Sequence, residues 1–86
     1  MKESKLIITD PAGMHARPAG DLVKLVRNYP GCNVTLDNGV RKVSAASILS
    51  ILSLGLKCGA EVIVRTDGGD EAAALEAVTG FIGSLK

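Results

Sequence analysis

The run Gly13-Met14-His15-Ala16-Arg17-Pro18-Ala19 holds the only histidine of the 86-residue chain. Imidazole is nucleophilic near neutral pH because its ordinary pKa leaves much of it uncharged. Ala19, Leu22, Val23 and Val26 follow at the i, i+3, i+4, i+7 spacing of an amphipathic helix. Pro18 is tolerated only near a helix start, where a missing N–H loses no intrahelical partner. His15 is therefore expected at or just before a first helical turn. The unpaired N–H groups of Ala16 and Arg17, the positive end of the helix dipole and the Arg17 guanidinium then form an anion site around a nucleophilic nitrogen. That combination suits a histidine that accepts a phosphoryl group. The dipole disfavours imidazolium, which keeps the ring nucleophilic, and it stabilises the dianion after transfer. A hydrolase using His15 as a base is the weaker reading, because the sequence offers no second residue for a catalytic pair.

The elements that must hold this run can be read in chain order. Lys5 to Thr9 is β-rich and ends in a loop, Asp10-Pro11-Ala12-Gly13. A helix over Ala16 to Asn28 is closed by Tyr29-Pro30-Gly31. Asn33 to Leu36 and Val40 to Val43 flank Asp37-Asn38-Gly39, the strongest hairpin signal in the chain. A short helix over Ser47 to Leu54 is stopped by Gly55, and Ala60 to Thr66 is a β-branched strand turning at Asp67-Gly68-Gly69. Asp70 and Glu71 open a last helix, where negative charge complements the N-terminus. Its apolar stripe is Leu75, Val78, Ile82 and Leu85. The order is β-α-β-β-α-β-α in one domain over residues 1–86. Three helices on one face of a four-stranded sheet, an α+β arrangement, is its natural two-layer solution.

The short second helix is unusually apolar. Helical spacing puts Ser47, Ile51 and Leu54 on one side and gathers Ile48, Leu49 and Leu52 on another. So short a helix cannot bury both faces against one small sheet, which predicts an exposed apolar patch. The alternative is that all these side chains are core. Ser47 in isolation reads as an N-cap.

Composition excludes several function classes. Net charge is +1 and Tyr29 and Phe81 are the only aromatics, so neither a global field nor a stacking platform argues for nucleic acid or an acidic membrane. Arg17, Lys24 and Arg27 form either a local patch for an acidic partner or an ordinary solvated helix face. Cys32 and Cys58 lack metal-ligand spacing, so no metal or cofactor is expected and the thiols read as reduced. No signal peptide and no bilayer-length apolar run is visible, and the expected location is the cytoplasm.

Two stretches carry a family resemblance: His15 to Ala19, and Ser47-Ile48-Leu49-Ser50-Ile51-Leu52-Ser53-Leu54-Gly55 followed by Lys57-Cys58-Gly59-Ala60-Glu61. With them the chain resembles, over essentially its whole length, HPr, the histidine phosphocarrier of the bacterial sugar phosphotransferase system. The resemblance implies an open-faced β-sandwich with an antiparallel sheet. It implies that His15 accepts the phosphoryl group through Nδ1, assisted by Arg17, from phospho-Enzyme I. Delivery would be to enzyme IIA domains, making the chain a carrier rather than a free-standing enzyme, and a monomer. Ile48, Leu49 and Leu52, with Lys24 and Arg27, would dock these partners. Ser47 stands where the family has its regulatory serine, which implies an HPr kinase/phosphorylase and a catabolite-control transcription factor as further partners. Two departures bear on these roles. Ala12 replaces a hydrogen-bonding side chain common at that loop position, and Ala45 and Ala46 lack the lysine that many regulated relatives carry. Met14 before His15 also occurs in relatives serving nitrogen-regulatory or dihydroxyacetone branches, so that assignment stays open beside the sugar branch.

Overall fold

The computed structural model describes residues 2–9, 13–14 and 16–84. Strand β1 (Lys2–Ile7) is followed by helix α1 (Ala16–Val26), strands β2 (Asn33–Asp37) and β3 (Lys42–Ser44), helix α2 (Ile48–Ser53), strand β4 (Glu61–Asp67) and helix α3 (Glu71–Gly83). The strands form one sheet in the order β1-β4-β2-β3, and every pair is antiparallel. All three helices lie on one face, as the sequence predicts.

Alternation along the strands decides which face is covered. Val34 and Leu36 of β2, and Val62, Val64 and Thr66 of β4, are buried against the helices. Their neighbours Glu3, Lys5, Asp37, Glu61 and Arg65 point to the open face and pair across the strands. Arg65 donates to Asp37 at 2.6 Å and lies 3.3 Å from Glu3. The Arg65 hydrogen bond, followed by the amide of Gly39, holds the Asp37 carboxyl below the usual carboxylate range. A shallow depression on this open face is lined by Thr35, Lys42, Ser44, Arg65 and Asp67. It lies across the sheet from α1.

The helix-side core joins Ile8, Leu22, Leu36, Ile51, Val62, Val64, Val78 and Ile82, each with no exposed surface. At α1 the predicted stripe is borne out: Ala19, Leu22, Val23 and Val26 are all buried, as is Pro18. For α3 the stripe shifts. Ala74, Val78 and Ile82 are its buried residues and Leu75 is only partly buried, because a small Ala74 faces the packed layer. Leu85 lies outside the described residues.

Boundaries differ from the sequence reading in places with a physical cause. β1 begins at Lys2, since alternating polar residues satisfy its open face without an apolar signal. Val40, read as the start of β3, is instead an exposed turn residue. The Asn38 side chain takes the amides of Val40 and Arg41 at 2.9 and 2.8 Å, so the ladder resumes only at Lys42. The helix read to Asn28 ends at Val26, and Asn28 and Tyr29 close it with bonds to Leu25 and Val26 carbonyls.

Candidate functional site

The first turn of α1 is built on a glycine that no other residue can replace without movement. Gly13 has φ +71, and a Cβ there would overlap the Leu56 carbonyl oxygen and stand 2.8 Å from Cα of Lys57. The approach is closed by Met14, whose amide donates to the same Leu56 carbonyl at 2.7 Å. Met14 itself is 5 % exposed and belongs to the core. Farther along, Gly59 donates to Ile8 and Ile8 to Ala60, at 2.7 and 2.9 Å. The β4 entry loop thus holds the approach to position 15 at two points, Ile8 and Met14. His15 and Ala12 lie outside the described residues.

Helix α1 starts at Ala16, directly after position 15 in the chain. Its first-turn amides have no intrahelical acceptors, and no acidic side chain occupies that turn to take them. Ala16 and Arg17 are exposed, and Arg17 makes no ion pair with another described residue. Among the described residues the guanidinium is thus held by no partner, and it stands beside a helix N-terminus suited to an anion. Lys24 is exposed on the same helix and Arg27 just past its end, with exposed Asp21 between them and Arg17, so the basic face is interrupted.

Helix α2 lies beside α1. Ala16 and Gly20 share one side of α1 by their four-residue spacing, and a methyl at Gly20 would stand 3.8 Å from Cδ1 of Ile48. The outer surface of α2 is thereby joined to the start of α1. Ser47 caps α2, its hydroxyl accepting from the amide of Ser50 at 3.3 Å. Ile51 and Leu54 are buried, whereas Leu49 is 80 % exposed and Ile48 41 % exposed. Of the three residues expected in an apolar patch, Leu52 departs: it is partly buried and packs on the core. Leu52 is the i+4 neighbour of Ile48 and shares the side of α2 that rests on α1, so it is partly covered while Leu49 is left exposed.

The sequence reading missed Leu56, whose carbonyl anchors the loop, and Asn38 and Arg41, which reach α2 from the β2–β3 turn. Backbone acceptors carry no residue-type signal, and a turn asparagine signals its own hairpin before any distant partner.

Residues 2–84 match the family model for the PTS HPr component phosphorylation site. The chain belongs to the HPr family. A phosphocarrier protein HPr of Xylella fastidiosa is 37 % identical over 79 residues, covering 92 % of this chain and 88 % of that protein. Among solved structures, HPr-C-His from Thermoanaerobacter tengcongensis superposes with a TM-score of 0.91 at 34 % identity, covering 98 % of this chain and 93 % of that one. The Bacillus subtilis catabolite repression protein Crh, solved as a dimer with a swapping domain, gives 0.77 at 31 % identity, covering 96 % and 94 %. The open-faced sandwich is thus the HPr fold, and α1 starts within the span of the family's phosphorylation-site model. Among the described residues no helix is long and apolar enough to cross a membrane.

Proposed function

We propose that this HPr-family chain carries a phosphoryl group on His15, taken from phospho-Enzyme I and passed to enzyme IIA domains for sugar uptake and phosphorylation. The neutral ring attacks phosphorus with the Nδ1 lone pair. The donor's P–N bond breaks and its electron pair stays with the donor's imidazole, which takes up a proton as the newly phosphorylated ring releases its own from Nε2. The amides of Ala16 and Arg17 and the Arg17 guanidinium receive the phosphoryl oxygens. Exposure of Arg17 keeps that grip weak enough for the group to leave again. The observation that carries this reading is a helix N-terminus whose first-turn amides lack intrahelical acceptors, with a guanidinium that makes no ion pair among the described residues, directly after the chain's single histidine. Ile48 and Leu49 dock the partners, with Arg17, Lys24 and Arg27 steering toward acidic rims. The carrier works as a monomer in the cytoplasm.

Ser47 supplies a second level of control. A phosphate there sits at the N-terminus of α2, where it is electrostatically welcome. It also places two negative charges beside Ile48 and Leu49, where acidic partners approach. An HPr kinase/phosphorylase would set this switch and a catabolite-control transcription factor would read it. The likeness to Crh favours this as a second reading, in which Ser47 signalling rather than transfer is the main role. Incubation with phosphoenolpyruvate and Enzyme I, read by intact mass, separates the two. One acid-labile phosphoryl group, absent from His15→Ala, is expected of a carrier. No adduct on folded protein would overturn the carrier reading and leave the Ser47 switch.

A further inference from the structure

We propose that Asn38, assisted by Arg41, is a positioning residue that fixes helix α2 for partner docking; this rests on the reading of Ile48 and Leu49 as the docking face. Helix α2 has six residues and no basic side chain in its last turn. So short a helix has little stability of its own, and its terminal carbonyls need donors from elsewhere. Three are satisfied locally: Ser50 by the Ser53 hydroxyl at 2.6 Å, Ile51 by the Leu54 amide at 3.2 Å and Leu52 by the Gly55 amide at 3.2 Å. The next two are reached across space. Asn38 Nδ2 donates to Leu54 O at 3.1 Å, and Arg41 Nη1 donates to Ser53 O at 3.4 Å.

Both donors come from one preorganised turn. Asn38 Oδ1 accepts from the amides of Val40 and Arg41, and the Asn38 amide donates to Arg41 O at 3.1 Å. Asp37 Oδ1 accepts from Gly39 at 2.8 Å and its other oxygen accepts from Arg65, which ties the turn to the centre of the sheet. A chain of hydrogen bonds therefore runs from β4 through the turn to the C-terminal end of α2. The N-terminal end of α2 rests on α1 through Ile48. The exposed Leu49 is held from both ends, and only the sheet-side support is polar.

The test compares Asn38→Ser, Asn38→Asp and Leu49→Glu for phosphoryl uptake from phospho-Enzyme I across a range of carrier concentrations. Serine keeps a turn-forming oxygen but cannot reach Leu54; aspartate keeps the length but loses the donor. Both are expected to raise the half-saturating concentration about fivefold, the effect of one hydrogen bond, with the saturated rate within about twofold of wild type. Amide exchange should quicken in α2 and stay unchanged in β2 and β4. If Leu49→Glu raises the half-saturating concentration and Asn38→Ser does not, the positioning role is overturned and the docking face stands. If Leu49→Glu is also silent, the docking reading falls and the proposal falls with it. An effect from aspartate alone would mark charge repulsion and likewise overturn it, as would a drop in saturated rate that merely tracks lost thermal stability.

Discussion

Two glycines allow the cost of a close backbone approach to be separated from the cost of an unusual dihedral. Gly13 and Gly39 both have positive φ, +71 and +91. A Cβ at Gly39 meets nothing within 4 Å, whereas at Gly13 it overlaps the Leu56 carbonyl and crowds Cα of Lys57. Gly39→Ala should carry only the dihedral penalty of about 1–2 kcal/mol, partly offset by about 0.4–1 kcal/mol from a less flexible unfolded chain. Gly13→Ala carries the same terms and must also push the loop off Leu56. The obvious casualty is the Met14 hydrogen bond, about 1 kcal/mol, together with imperfect packing of a buried Met14. Its total is about 2–4 kcal/mol, so the two variants should differ by about 1–3 kcal/mol. For a domain of this size each kcal/mol shifts Tm by about 4–8 °C. Thermal unfolding followed by circular dichroism measures both. Phosphoryl uptake, measured well below either Tm, should fall for Gly13→Ala and stay unchanged for Gly39→Ala. Equal Tm values for the two variants would refute the claim that the contact with Leu56, rather than backbone conformation, fixes the histidine-bearing loop.

Three further outcomes are expected. Arg17→Ala should slow phosphoryl transfer by roughly tenfold to a hundredfold, the worth of a charge-assisted hydrogen bond, while Tm stays within a degree or two because the side chain is exposed; an unchanged rate by rapid quench would exclude guanidinium assistance. Ser47→Ala removes the α2 cap and should lower stability by about 1 kcal/mol, and urea unfolding showing no change would mean that the 3.3 Å bond to Ser50 contributes nothing. Asp37 has its pKa lowered by folding, so its stabilisation is present above the ordinary carboxylate value of about 3.9 and fades as pH falls through the lower folded value. The Tm gap between wild type and Asp37→Asn should therefore be widest above about pH 5 and narrow toward pH 2; a gap that widens in acid would reverse the sign of the argument.

What the sequence made legible follows from which forces act locally. The α1 stripe was readable because burial repeats with the helix period, and Pro18 marks the first turn. Ser47 was readable as a cap for a similar reason. Helical spacing separated Ile51 from Leu49, and the length of α2 predicted an exposed apolar patch without saying which side would be buried. Val40 was misread because a β-branched residue beside a turn carries a strand signal, while the competing Asn38 side-chain bonds depend on turn geometry. Strand order was hidden for a different reason. Only β2 and β3 are joined by a hairpin, and the pairings of β4 with β1 and β2 bring together segments that share no local pattern. The contact of Gly13 with Leu56 was equally silent, since one partner has no side chain and the other uses its backbone.

That strand order also governs when the chain can fold. β1 pairs with β4 along its whole length, from Lys2 opposite Thr66 to Ile7 opposite Glu61. During synthesis the first strand must wait, its ladder unpaired, until β4, the last of the described strands, has left the ribosome. Only the β2–β3 hairpin and helices α1 and α2 can form beforehand, and none of them can close the core without β4. Closing so long a loop carries an entropic barrier that local contacts do not offset. Folding is thus a late, largely all-or-none event that waits for β4. The nascent chain should have no intermediate stage with a stable tertiary structure.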